Sequence, residues 1–392
     1  MIHTNETLKE LFTLDFNLNG QQVNAINKAV AWYEGYRARK HRRKLFYIAG
    51  YAGTGKTTVA RIIAELCATM ERTMFIAPTG KAAARLRHKG CPGAKTFHQF
   101  IYNVRGENDD GEPIFVAKGA LDDKPLLVVL DEAYMVGEYD AEKLLEHGIP
   151  VLALGDPKQV PPVKGRAYFS LDIAEVELTE IERNSGNIVK GSMYLRDRKR
   201  LPVREYEDVV IRDGSIPDDM VLSFTNEESV ILCSYNTTRQ QYNERCRRLL
   251  GFSGDIPAPG EKVVCTSNQH GYGIMNGEQG IVLRYEEIAE GAEDEDEPDM
   301  MLLIYRSLTD GKERYAKFNP VCFLGDEDAK KEAYKKAGGF DFGYALTVHK
   351  SQGSEWLRVL VIEELLRGVD YFQMMYTAVT RAIKFLAIYR YK

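Results

Sequence analysis

Long hydrophobic runs are missing from this chain. Its longest apolar stretches, residues 126–130 and 385–389, have the length of a buried strand, far short of the roughly 20 residues that a membrane-spanning helix needs. Near the start, Glu6 and Glu10 stand where a secretory leader would carry an apolar core, so no leader is expected. The six cysteines, Cys67, Cys91, Cys233, Cys246, Cys265 and Cys322, form no C-x-x-C pair and no His/Cys cluster. Neither a zinc site nor a disulfide framework is expected, and a reducing cytoplasm is the simplest home. Excess positive charge is also absent: a net charge of −5 argues against a surface coated to hold nucleic acid, leaving only a local groove for such a role. No short-period repeat is visible.

What is present is ample for two or three domains with proper cores: 392 residues, 44% apolar and 28% charged. Two basic runs, 37–44 and 196–200, read as solvated faces or as auxiliary nucleic-acid contacts. The acidic run 293–297 with Asp299 reads as a loop, because neighbouring carboxylates repel and cannot be packed together.

The densest signal is Gly50-Tyr51-Ala52-Gly53-Thr54-Gly55-Lys56-Thr57, placed between an apolar run at 45–49 and an amphipathic stretch at 58–70. A strand, a glycine-rich turn and a helix in that order make a P-loop. Gly53 and Gly55 let backbone N–H groups face inward around phosphates, and the helix N-terminus favours negative charge. Lys56 can reach the β/γ-phosphates, and Thr57, with Thr58 beside it, can meet ATP and ligate Mg²⁺.

Further apolar runs at 73–77, 126–130 and 151–154 alternate with helical patterns, the mark of a parallel α/β sheet. Each run ends in a polar signal: Pro78-Thr79-Gly80-Lys81, Asp131-Glu132 and Gly155-Asp156-Pro157-Lys158-Gln159. Ligands of such sheets bind at the carboxyl ends of the strands. Asp131 suits the magnesium shell, Glu132 the attacking water, and Gln159 a γ-phosphate contact through an amide that both donates and accepts.

The order of motifs resembles that of superfamily 1 helicases, in the RecD/Dda-like branch. The resemblance rests on the P-loop, Ala77-Pro78-Thr79-Gly80-Lys81, Thr96-Phe97-His98, Asp131-Glu132-Ala133-Tyr134-Met135 and Gly155-Asp156-Pro157-Lys158-Gln159. It continues through Leu178-Thr179-Glu180-Ile181-Glu182-Arg183, Thr347-Val348-His349-Lys350-Ser351-Gln352-Gly353-Ser354-Glu355 and Thr377-Ala378-Val379-Thr380-Arg381-Ala382. An upstream Leu18-Asn19-Gly20-Gln21-Gln22 is similar to the adenine-reading glutamine motif. The resemblance implies Gln22 on adenine, Gly353 and Glu355 near the nucleotide, and Arg183 and Arg381 as arginine fingers from the second lobe. It also implies that Pro78, Thr79, Thr96, His98, Asn236, Thr347 and His349 grip single-stranded DNA, with Tyr235 and Asn276-Gly277 as less secure contacts. Read without that context, His98 and His349 could equally be satisfied core histidines.

The fold class implied is α/β, with two RecA-like P-loop parallel-sheet domains. The first is expected over 1–172, carrying a β-hairpin pin at 100–124 whose tip is Asn108-Asp109-Asp110-Gly111. The second is expected over 173–264 and 341–392, with the helix 371–384 and strand 385–389 near its end, and a small SH3-like β insertion over 265–340. On the hairpin, Tyr102 or Phe115 could stack on a separating base pair or pack in a core. The activity implied is an ATP-dependent DNA helicase using ATP and Mg²⁺, moving 5′-to-3′ on single-stranded DNA and opening tailed duplex DNA. A monomer is expected, perhaps-partnering aside with replication proteins or a single-strand-binding protein, in a bacterial or phage-infected cytoplasm. The rivals are a DNA-dependent ATPase that strips or loads proteins without unwinding, and a viral-type RNA helicase.

Overall fold

A computed structural model of the chain describes residues 2–107, 113–119, 121, 123–162, 166–182, 186–269, 273–287, 300–324 and 339–390. The chain divides into two compact units, Met1–Arg105 with Phe115–Lys190, and Gly106–Ile114 with Gly191–Lys392.

In chain order, the strands of the first unit are β1 (Leu45–Gly50), β2 (Thr73–Ala77), β3 (Lys95–Thr96), the hairpin pair β4 (Tyr102–Glu107) and β5 (Pro113–Ala117), β6 (Leu127–Leu130), β7 (Val151–Gly155) and β8 (Val176–Leu178). Six of them form one parallel sheet in the order β3-β2-β6-β7-β1-β8. Alternate residues of these strands feed two separate cores. Phe46, Ile48, Val129 and Leu152 face the helices Gly20–Arg37 and Lys56–Ala68, while Tyr47, Ala49, Val128 and Leu130 face Phe97, Ala141 and Phe169. A sheet covered on both faces explains why its strands read as unbroken apolar runs.

Strand β8 corrects the expected boundary at residue 172. Val176 and Leu178 pair with Ile48 and Gly50, so the first sheet gains a strand beyond the P-loop strand, and the first unit reaches Lys190. Three residues are too few to show a period, which hides this strand in the sequence.

The second unit holds β9 (Arg204–Glu205), β10 (Val209–Asp213), β11 (Ser229–Cys233), β12 (Lys262–Cys265), β13 (Gln279–Glu287), β14 (Met301–Ser307), β15 (Glu313–Phe318), β16 (Phe340–Phe342), β17 (Ala345–Thr347), β18 (Trp356–Glu363) and β19 (Ala382–Arg390). One sheet runs β17-β11-β18-β19-β10-β9 and is parallel apart from the β9 edge. Another runs β15-β14-β13-β12-β16 and is antiparallel. Its edges lie slightly outside the expected 265–340, since Lys262 and Phe342 belong to its strands. The acidic run 293–297 lies outside the described residues.

The helix expected over 371–384 ends at Val379. The Thr380 hydroxyl donates to the Thr377 carbonyl and the Arg381 N–H to the Ala378 carbonyl, closing the helix so that Ala382 can pair with Trp356 as β19 begins. No helix among the described residues is long and apolar enough to cross a membrane.

Candidate active site

Three neighbouring strands of the first sheet, β6, β7 and β1, end in Asp131-Glu132, in Gly155 with Asp156 to Gln159 beyond it, and in the P-loop. Parallel alignment places all three polar ends on one edge of the sheet.

In the loop after β1, Gly53 and Gly55 have φ of +85° and +77°, a left-handed backbone that glycine adopts without strain. Gly55 is also required by space: a Cβ there would sit 2.7 Å from Gln22 Nε2. Lys56 starts the helix Lys56–Ala68, and its ammonium donates to the carbonyls of Gly50 and Tyr51 at 2.6 and 2.9 Å. Thr57 and Thr58 follow in the first turn, each half-buried.

Asp131 and Glu132 are both buried although ionisable. Burial, and then the neighbouring Glu132 charge, push the Asp131 carboxyl above the usual carboxylate range, while Arg85 and Lys56 pull the other way. Asp131 Oδ1 accepts the Glu132 N–H at 2.9 Å, and Glu132 takes a left-handed φ of +53°. Arg85, on the helix Gly80–His88, lies 3.6 Å from Glu132. Gln159 is buried, its Oε1 accepting the Tyr134 hydroxyl at 2.6 Å and its Nε2 donating to Asp156 at 3.3 Å.

Magnesium prefers hard oxygen ligands and usually takes one or two protein groups plus substrate phosphates and water. The buried Asp131 carboxylate beside a second carboxylate, with the Thr57 hydroxyl at the helix start, is a donor set of that kind. No cluster of three or more His, Cys, Asp or Glu capable of holding a metal exists among the described residues.

Gln22 is 3% exposed and its amide is engaged at both ends. With Asn19 it forms a capping box, in which Asn19 N–H donates to Gln22 Oε1 at 3.0 Å, and Gln22 Nε2 donates to the Thr54 carbonyl at 3.1 Å. Reading an adenine edge therefore costs Gln22 one of these bonds.

Arg183 lies outside the described residues. The residue before it does not: Glu182 N–H donates to the Gly53 carbonyl at 2.9 Å, and the Asn19 side chain donates to the Glu182 carboxylate. That stretch belongs to the first unit, which corrects the expectation that Arg183 is supplied by the second lobe.

Arg381 lies in the second unit and is 2% exposed. Its guanidinium donates to the Thr377 carbonyl, the Ser354 carbonyl and the Thr380 hydroxyl at 3.0, 3.2 and 3.1 Å. This brings it beside the Gly353 turn, where φ is +75°, and Glu355 follows two residues on, half-buried.

The expected DNA contacts divide between the units. In the first, Thr79 caps Gly80–His88 and Thr96 caps Phe97–Ile101, each hydroxyl oxygen accepting a backbone N–H, while Pro78 follows the end of β2. His98 is exposed and is no core histidine; its ring stacks at 5.5 Å on Tyr102 and lies 5.3 Å from Phe115. Tyr102 is the packed member, half-buried with its hydroxyl on Asp140 at 2.6 Å, whereas Phe115 is 44% exposed. The expected hairpin tip, 108–111, lies outside the described residues.

In the second unit Asn236 and Tyr235 are exposed at the start of Asn236–Leu250, with the Tyr235 hydroxyl donating to the Leu365 carbonyl at 2.6 Å. Thr347 is buried and accepts the Lys350 N–H at 3.3 Å. His349 is half-buried, and burial holds its pKa below the ordinary histidine value. Sequence reasoning missed Arg85, Tyr134 and Gln21; only Asn19-x-x-Gln22 carried a legible capping signal.

Residues 17–208 match the AAA domain family, and residues 342–389 the UvrD-like helicase C-terminal domain. Over 370 residues the chain is 28% identical to the ATP-dependent RecD2 DNA helicase of Deinococcus radiodurans, covering 86% of this chain and 46% of the relative. Over 200 residues it is 30% identical to the ATP-dependent DNA helicase dda of Enterobacteria phage T4, covering 47% of this chain and 43% of that one. The chain thus spans less than half the length of either relative. In fold it is similar to Bacteroides Pif1 bound to single-stranded DNA, with a TM-score of 0.56 at 18% identity over 95% of this chain and 92% of that one.

Proposed function

Because this chain belongs to the superfamily 1 helicases, in the RecD/Dda-like branch, we propose that it is an ATP-driven DNA helicase that moves 5′-to-3′ on single-stranded DNA and opens tailed duplexes. The observation that carries the reading is the alignment of three adjacent strand ends bearing a P-loop, a buried Asp-Glu pair and a held glutamine. A turn that bound phosphate for structural reasons would need no second buried carboxylate.

Each side chain then has a task. Lys56 exchanges two loop carbonyls for β/γ-phosphate oxygens, and Gly53 and Gly55 give the backbone N–H groups their inward direction. Thr57 and Asp131 hold Mg²⁺, which when bound neutralises charge on the β/γ-phosphates. Glu132 orients and deprotonates the attacking water, with Arg85 beside it to fix its carboxylate. Gln159, held by Tyr134 and Asp156, senses the γ-phosphate, and Arg183 and Arg381 stabilise charge on the transferring phosphoryl group. Gln22, Thr58, Gly353 and Glu355 complete the nucleotide contacts.

Pro78, Thr79, Thr96 and His98 in one unit, and Asn236, Thr347 and His349 in the other, grip the DNA backbone without reading sequence. The hairpin β4–β5 is the separating element, with the exposed Phe115 and His98 rings as its stacking surface. Unwinding of partial duplexes with either a 5′ or a 3′ single-stranded tail tests the proposal. Opening of the 5′-tailed substrate alone supports it; ATP hydrolysis stimulated by DNA without opening of either substrate replaces it with a stripping motor.

A further inference from the structure

We propose that Gln21 is a positioning residue for ATP turnover, its side-chain amide holding the stretch that leads into Arg183 against the P-loop. The inference rests on reading the P-loop as the ATP site.

Gln21 is the second residue of the helix Gly20–Arg37, where side chains are not required for the helix's own bonding. Its Oε1 accepts the backbone N–H groups of Thr179 and Glu180 at 2.7 and 3.1 Å, and its Nε2 donates to the Thr179 hydroxyl at 2.9 Å. One amide thereby satisfies two backbone donors lying just past the end of β8 at Leu178, where no strand takes them up. Bonds on either side tie the same stretch to the loop itself. Tyr51 N–H donates to the Leu178 carbonyl at 3.2 Å, Glu182 N–H donates to the Gly53 carbonyl at 2.9 Å, and Asn19 donates to the Glu182 carboxylate.

Residues 178–182 are consequently fixed at both ends to the P-loop and its flanking helix, and in the middle to Gln21. The next residue is Arg183. Two adjacent glutamines do different work: Gln22 braces the Thr54 carbonyl, and Gln21 braces the approach to the arginine. A group that stabilises transition-state charge is sensitive to placement, since an error of about 1 Å can cost on the order of 10² in rate. Loosening the stretch should act on turnover more than on nucleotide affinity, because the P-loop contacts remain.

The test compares Gln21→Leu, Gln21→Glu and Thr179→Val in DNA-stimulated ATPase assays, in binding of a non-hydrolysable ATP analogue and in thermal melting. Gln21→Leu is expected to lower kcat about tenfold or more while analogue affinity stays within about threefold. Gln21→Glu keeps an acceptor for both N–H groups and for the Thr179 hydroxyl, so it should recover most of the loss. Thr179→Val removes one bond of three and should fall between them. Unchanged kcat in a folded Gln21→Leu protein overturns the proposal. So does a parallel loss of kcat, affinity and melting temperature that Gln21→Glu fails to rescue, which would make the bond a structural one. Lys56→Ala, measured alongside, separates the two levels: normal hydrolysis there removes the ATP-site reading, whereas an inactive Lys56→Ala with a normal Gln21→Leu removes only the role of Gln21.

Discussion

The Lys56 ammonium donates to the carbonyl of Gly50 at 2.6 Å, so the lysine at the mouth of the loop is folded onto the loop's own first residue. A second bond to Tyr51 at 2.9 Å completes the arrangement. The loop is thereby held in a glycine-dependent left-handed path at Gly53 and Gly55 by a cation that phosphate oxygens can reclaim.

Lys56→Ala should abolish measurable ATP turnover, a loss of at least about 10²-fold for one charge-stabilising donor in a preorganised site. Two hydrogen bonds to carbonyls disappear as well, so stability should fall by no more than about 1–3 kcal/mol. Steady-state hydrolysis combined with thermal melting checks both. Normal turnover by the folded variant would sink the assignment.

Glu132→Gln should bind ATP and single-stranded DNA and hydrolyse about 10²- to 10⁴-fold more slowly, because the amide preserves size and loses basicity. Arg85→Ala should reduce turnover less, since its guanidinium only flanks the carboxylate, at 3.6 Å. DNA-stimulated turnover equal to wild type in Glu132→Gln would move water activation to another group.

Arg381 was expected to act as an exposed finger, and the structure adds a second role. At 2% exposure, with three acceptors around its guanidinium, it also ties the Gly353 turn to the end of Tyr371–Val379. Arg381→Ala should therefore lower stability by about 1–3 kcal/mol through acceptors left unpaired, and lower kcat as well. Arg381→Lys restores one donor and the charge, so it should recover part of the stability and little of the turnover. A variant that melts normally and loses only ATP affinity contradicts both roles.

Much of this was legible because strand and ligand chemistry coincide. Unbroken apolar runs ending in Gly50, Leu130 and Gly155 announced a doubly covered parallel sheet, and the polar residues after them announced where phosphates meet it. The illegible parts depend on tertiary neighbours. The strand Val176–Leu178 is too short for a period and is defined only by Ile48 and Gly50 beside it. Gln21 matters through Thr179, 158 positions away, and Arg85 through Glu132; no local spacing predicts either pairing. Arg381 looked like a surface cation because its burial comes from the Ser354 carbonyl of a distant turn.

Affinity for single-stranded DNA should fall with added salt, because each neutralised phosphate releases about 0.7 of a counterion per contact, and should vary little among unstructured sequences of equal length. Titration across salt concentrations with several oligonucleotides checks this. A strong preference for one base sequence would count against a grip made from capped threonines and exposed rings.

The hairpin gives the sharpest test, because its exposed ring and its packed ring lie on different strands. Tyr102 on β4 is anchored through Asp140, while Phe115 on β5 is 44% exposed beside His98. Shortening the hairpin across residues 106–113 leaves the Tyr102 anchor, the P-loop and the acid pair in place. Single-strand-stimulated ATPase activity should then stay near wild type while unwinding of a 5′-tailed duplex drops steeply. Phe115→Ala should reproduce a milder form of the same split, since stacking on one base is worth about 1–3 kcal/mol. If ATPase activity falls together with unwinding, the hairpin serves the fold or the ATP cycle. If neither falls, another element separates the strands.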